Sequence, residues 1–155
     1  MIRQLKYSGA RVVGELTGQL ISRYQENEEL LLPPSIITPI PLHSKTFKSR
    51  GYNQAEIIAQ ELSQATGFPL IPDLLVRAHM TASQTKLSKE ERRKNIKGVF
   101  EINAQYYPKS DQALKGSSVI LVDDVFTTGS TLREAAKILK KAGISEVYGF
   151  TLAHD

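Results

Sequence analysis

Apolar residues recur every three to four positions over residues 2–24, where Leu5, Val12, Val13, Leu16, Leu20 and Tyr24 predict a helix. Gly9, Gly14 and Gly18 weaken it, because a glycine in a helix interior costs ~1 kcal/mol. Pro33-Pro34 closes this region, and Ile36–Ile40 is a short β-rich run that stops in Pro39-Ile40-Pro41. A second helix is predicted from Asn53 to Thr66. Asn53 can cap it, Glu56 stands three residues later, Gly67 ends it, and Ile58, Ala59, Leu62 and Ala65 form its core face.

Two further strands are predicted at Leu74–Ala78 and Val99–Ile102, with the polar stretch His79–Gly98 between them. A polar segment of that kind is either a long hairpin arm or a mobile loop. Residues 103–117 read as a connection. Val119-Ile120-Leu121-Val122 is a continuous apolar run, the pattern of a strand buried on both faces in a parallel sheet. A loop over Asp123–Ser130 follows, then a helix from about Leu132 to Ala142. Thr131-Leu132-Arg133-Glu134 has the form of a capping box, Gly143 ends the helix, and Glu146–Ala153 returns as a strand. The unit is strand–loop–helix–strand, so this part of the sheet is parallel and the class is α/β.

The chain has 155 residues, enough for one domain over 1–155 with a core of its own. It has no cysteine, which excludes disulfides and cysteine zinc sites and fits a reducing, cytoplasmic location. No apolar run approaches the ~20 residues of a membrane span. The net charge of +4 is unevenly spread. Residues 43–50 carry Lys45, Lys48 and Arg50 with no acid. Residues 77–98 carry Arg77, Lys86, Lys89, Arg92, Arg93, Lys94 and Lys97 against Glu90 and Glu91. The rest of the chain is therefore acidic, and the basicity points to a polyanion bound in one place. A solvated surface with scattered lysines is the bland alternative.

Ligands of open α/β sheets sit at the carboxyl ends of the strands. Here that place holds Asp123 and Asp124, then Thr127, Thr128, Gly129, Ser130 and Thr131. Adjacent carboxylates suit a ribose diol, and they also suit Mg²⁺, bound directly or through its waters. Gly129 allows close approach of the backbone, while hydroxyls, loop N–H groups and a helix N-terminus favour phosphate. A phosphate loop of the Gly-Lys-Ser/Thr type is excluded because no lysine is present, and a dinucleotide fold because only Gly129 is available. A receiver domain is excluded because too little chain follows Asp124.

Val119–Thr131 closely resembles the motif by which type I phosphoribosyltransferases bind 5-phosphoribosyl 1-pyrophosphate (PRPP): four apolar residues, two acids, then a Thr/Gly-rich loop. The resemblance implies the type I phosphoribosyltransferase fold, a central, mostly parallel sheet flanked by helices with a small hood and a mobile loop. Asp123 and Asp124 would meet the ribose hydroxyls, and residues 127–131 the 5-phosphate. Pro39-Ile40-Pro41-Leu42-His43, then Arg50-Gly51-Tyr52-Asn53-Gln54-Ala55, then Gln84, Leu87, Ser88, Arg92, Asn95 and Phe100, are similar to the ComF-type competence proteins. That resemblance implies Pro41 near the pyrophosphate and residues 79–98 as the hood. Arg92, or a neighbouring lysine, would meet the charge on departing pyrophosphate; a solvated helix face is its plain alternative. Many ComF-type proteins begin with a four-cysteine zinc domain, which this chain lacks. Purine-salvage relatives carry an acid where this chain has Thr127, so 6-oxopurine salvage is not supported and the acceptor is open.

Two functions follow from the resemblance. One is transfer of phosphoribosyl to a nitrogenous acceptor. The other is a non-catalytic PRPP- and single-stranded-DNA-binding role in DNA uptake, with Lys45, Lys48 and Arg50 on the nucleic-acid backbone. Candidate partners are PRPP with Mg²⁺, single-stranded DNA, a competence helicase, a partner carrying the zinc domain, and a second copy of the chain.

Overall fold

The computed structural model describes residues 10–26, 33–42, 47–49, 51–78, 98–106 and 114–154. Helix α1 spans Ala10–Glu26. Its buried stripe is Val13, Thr17 and Ile21, whereas Val12, Leu16 and Leu20 are 44%, 43% and 39% exposed. The apolar face expected from the sequence is therefore rotated. Thr17 is admitted to the core because its hydroxyl donates to the Val13 carbonyl at 2.7 Å, so no polar group is left bare. The glycines also have a packing role. A Cβ on Gly18 would lie 3.0 Å from Glu61 Oε2, and one on Gly14 3.4 Å from Oε1, so their absence lets Glu61 lie across α1.

Strand β1 is Ile36–Pro39 and helix α2 is Gln54–Thr66. The predicted caps of α2 are in place. Asn53 Oδ1 accepts from the Ala55 N–H at 3.2 Å, and Gly67 sits at φ 72° with its N–H donated to Ser63. Strands β2 (Leu75–Arg77) and β3 (Phe100–Ile102) pair antiparallel, extended by the Ala78 N–H to Val99 carbonyl bond of 2.8 Å. The chain thus leaves for residues 79–97 and comes back side by side with itself; that predicted hood lies outside the described residues.

Strand β4 (Ser118–Phe126), helix α3 (Ser130–Lys141) and strand β5 (Glu146–His154) complete the chain. The main sheet is parallel with order β1-β4-β5. The pleat of β4 divides the core. Val119 and Leu121 pack with Leu74, Leu75, Phe100, Ala135 and Leu139 on the α3 side. Ile120 and Val122 pack with Val13, Ile21, Ile58 and Leu62 on the α1–α2 side. All four are 0–1% exposed, and each such side chain contributes roughly 1.5–3 kcal/mol by leaving water.

Two boundaries differ from the sequence reading. β4 does not end at Val122 but runs on through the acidic pair, because β5 stays alongside: Asp123 pairs with Thr151, Val125 with Ala153 and Phe126 with His154. Helix α3 starts at Ser130 and is preceded by Gly129 in the left-handed conformation (φ 67°), so Thr131 lies inside the first turn and the expected capping box is not formed. Among the described residues no helix is long and apolar enough to cross a membrane.

Candidate functional site

The site follows from a difference in strand length. β1 stops at Pro39, opposite Val122, and its last bond is the Ile40 N–H to Val122 carbonyl at 2.8 Å. β4 continues to Phe126. No described residue pairs with β4 on that side past Val122, so a notch opens above the end of β1. Period-two alternation gives the notch two acidic walls. Asp123 shares the face of Val119 and Leu121, toward α3 and the β2–β3 pair, and Asp124 shares the face of Ile120 and Val122, toward α2. Instead of a side-by-side pair after the strand, as the sequence suggested, the acids flank an open strand edge. The Asp124 N–H donates to Asp123 Oδ1 at 2.9 Å, which fixes the first carboxylate against its own backbone.

Burial pushes the Asp123 carboxyl up to about 7, and the Asp124 charge adds to the rise; the Asp124 N–H and the Arg77 guanidinium only partly offset it. Arg77 ends β2, where its desolvation lowers its own pKa and the Asp123 charge raises it. Its Nε donates to the Pro41 carbonyl at 3.0 Å, and its guanidinium carbon lies 5.4 Å from the Phe100 ring centre. From the other side, Asn53 Nδ2 donates to the Ile40 carbonyl at 3.1 Å. The turn Ile40–Pro41 is thus held by two side chains at the floor of the notch. The sequence singled out Asn53 as a cap and as part of a family motif, and Arg77 only as part of a basic segment. A lone cation at the carboxyl end of an apolar strand was the available signal for Arg77.

The loop that follows β4 is short. Thr127 and Thr128 are exposed and Gly129 is buried. Thr128 Oγ1 donates to Ser130 Oγ at 2.9 Å and accepts from the Ser130 N–H at 3.3 Å. Arg133 Nη2 reaches back to the Thr128 carbonyl at 2.5 Å. The first backbone bond of α3 is Arg133 N–H to the Gly129 carbonyl at 2.9 Å, which leaves Thr131 and Leu132 N–H groups without a backbone acceptor. Such N–H groups, with the helix dipole and the hydroxyls of Thr127, Thr128, Ser130 and Thr131, suit a phosphate. Beneath the loop Phe126 and His154 stack, with ring centres 5.4 Å apart and planes inclined by 14°.

Of the other residues singled out, Lys48 is exposed on a helical turn at 47–49, while Lys45, Arg50 and Arg92 lie outside the described residues. No cluster of three or more His, Cys, Asp or Glu side chains able to hold a metal is found among the described residues. Asp123 and Asp124 therefore offer at most two ligands to an ion that takes six oxygens, which fits Mg²⁺ only where water or ligand oxygens supply the others.

Comparison with known proteins places the fold and the family. The chain is 36% identical over 143 residues to Competence protein F of Haemophilus influenzae, covering 92% of this chain and 60% of that protein. It is 30% identical over 151 residues to the DNA utilization protein YhgH of Salmonella typhimurium, covering 95% of this chain and 63% of that one. It spans, then, about three-fifths of the length of these curated relatives. Among solved structures, glutamine PRPP amidotransferase from B. subtilis superposes with a TM-score of 0.54 at 18% identity, over 90% of this chain and 26% of that one, which establishes a shared fold. Residues 46–154 match the family model described as the phosphoribosyl transferase domain, and the chain belongs to that family.

Proposed function

We propose that the notch above β1 binds PRPP and that the chain, one domain over 1–155, transfers its phosphoribosyl group to a nitrogenous acceptor. The observation that carries this reading is the acidic edge of β4 running straight into the Gly129 loop. A ribose laid along that edge would offer its diol to Asp123 and Asp124 and its 5-phosphate to residues 127–131. In the transfer a C–N bond forms at the anomeric carbon as the C–O bond to pyrophosphate breaks, and pyrophosphate leaves with that electron pair. Mg²⁺, when bound, offsets the charge of the pyrophosphate. Pro41 would lie near that group, and Arg92 with its neighbouring lysines would meet the charge that develops on it. Replacing Asp124 with alanine should weaken PRPP binding by about 1.5–3 kcal/mol, the worth of a hydrogen bond to a charged group. Calorimetry in Mg²⁺ tests this, and unchanged affinity would exclude the diol role.

The relatives' names favour a second reading, a PRPP-binding protein that handles single-stranded DNA in the cytoplasm during uptake, with Lys45, Lys48 and Arg50 on the phosphodiester backbone. A helicase, a zinc-domain protein or a second copy would be its partners. The two readings separate on pyrophosphate release from PRPP, measured with and without a single-stranded oligonucleotide. Release without DNA supports the transferase. Binding of both ligands with no release supports the second reading.

A further inference from the structure

Gly129 marks where the phosphate loop turns into α3, and it is not merely a residue with room around it. A Cβ at this position would lie 2.7 Å from both Cε2 and Cζ of Phe126, so the edge of that ring is packed directly against the glycine. The ring is held in turn. Its face stacks on His154, and the two residues form the last pair of the β4–β5 ladder. Contacts therefore run in a series from the final residue of β5, through one ring, to the glycine whose left-handed conformation sets the direction of the loop and of the first N–H groups of the helix.

From this we infer that Phe126 and His154 are a positioning pair. They hold the Thr127–Gly129 loop in the shape that receives a phosphate, without touching the ligand themselves. The inference rests on reading that loop as the phosphate site. His154 is the informative member because its side chain is exposed and belongs to neither core cluster, so its replacement bears on the loop more than on the fold. Ring stacking is offset-tolerant at this separation, so a second aromatic in place of the imidazole preserves the support. Polar chemistry at the ligand would not survive that exchange.

The test uses ribose 5-phosphate as probe, with isothermal calorimetry on the full chain and a urea unfolding curve for each variant. H154A should raise the dissociation constant about three- to tenfold while the unfolding midpoint stays close to that of the unsubstituted chain. H154F should return the affinity to within about twofold. Unchanged affinity in H154A overturns the proposal. So does H154F binding as weakly as H154A, which would make the imidazole a direct ligand group, or a loss of affinity that merely follows a lowered midpoint. Failure of the unsubstituted chain to bind ribose 5-phosphate overturns the reading of the loop itself, and is seen before any variant is compared.

Discussion

Valine in place of Gly129 should abolish detectable binding of ribose 5-phosphate and of PRPP while leaving a folded chain. Two independent effects act at this position. At φ +67° a side chain meets its own backbone, which costs ~1–2 kcal/mol. The added Cβ also falls 2.7 Å from the Phe126 ring, a distance real Cβ atoms do not sustain, and valine brings two methyl groups beyond it. The loop must unwind or the ring must leave its stack on His154, and either change moves the N–H groups ahead of α3. The core clusters on the two faces of β4 do not include Gly129, so cooperative unfolding should persist. Loss of the unfolding transition would show that the loop is needed for the fold, and retained binding would remove residues 127–131 from the site.

Asparagine at position 123 should stabilise the ligand-free chain above pH 7 and at the same time weaken PRPP binding. A carboxyl ordinarily ionises near 3.8, whereas that of folded Asp123 ionises near 7. Between those values the unfolded chain has given up a proton that the folded chain keeps, so stability falls as pH rises from about 4 to about 7 and is level beyond. At 1.36 kcal/mol per pH unit the interval bounds the loss at about 4 kcal/mol, and water at the strand end reduces it toward about 2 kcal/mol. D123N removes the ionisation and should flatten this part of the profile. Urea midpoints measured at pH 5 and pH 8 decide the matter: the variant should gain on the native chain at pH 8, and an equal difference at both pH values refutes the burial of charge. Ligand affinity should fall about ten- to a hundredfold, since an acceptor of full charge is lost.

Local patterns made much of the fold legible. Val119–Val122 announced a two-faced strand, Asn53 and Gly67 bracketed α2, and the acid pair with its Thr/Gly-rich loop pointed to a candidate site through residue type and order. What stayed hidden depends on partners distant in sequence. Asp123 and Asp124 look like the end of a strand, and only the register with Thr151 and Ala153 carries them inside β4. Thr131 fits a capping box, yet Thr128 Oγ1 and the left-handed Gly129 already shape the helix start. The apolar stripe placed Leu16 and Leu20 inside, whereas Val13, Thr17 and Ile21 are the buried positions, with the Thr17 hydroxyl satisfied by the Val13 carbonyl. Arg77 disappeared into a basic segment, although it is tied to Pro41 and charge-coupled to Asp123.

The antiparallel pairing of β2 with β3 has a consequence for how such a chain can diversify. The Ala78–Val99 bond closes the β2–β3 pair by itself, so the register of these two strands places no demand on how many residues join them. A change of length beyond Ala78 and before Val99 leaves that register intact, whereas one residue added between Val122 and Phe126 would shift every later pairing of β4 with β5. Length can therefore vary between β2 and β3 without disturbing the strand edge that carries Asp123 and Asp124.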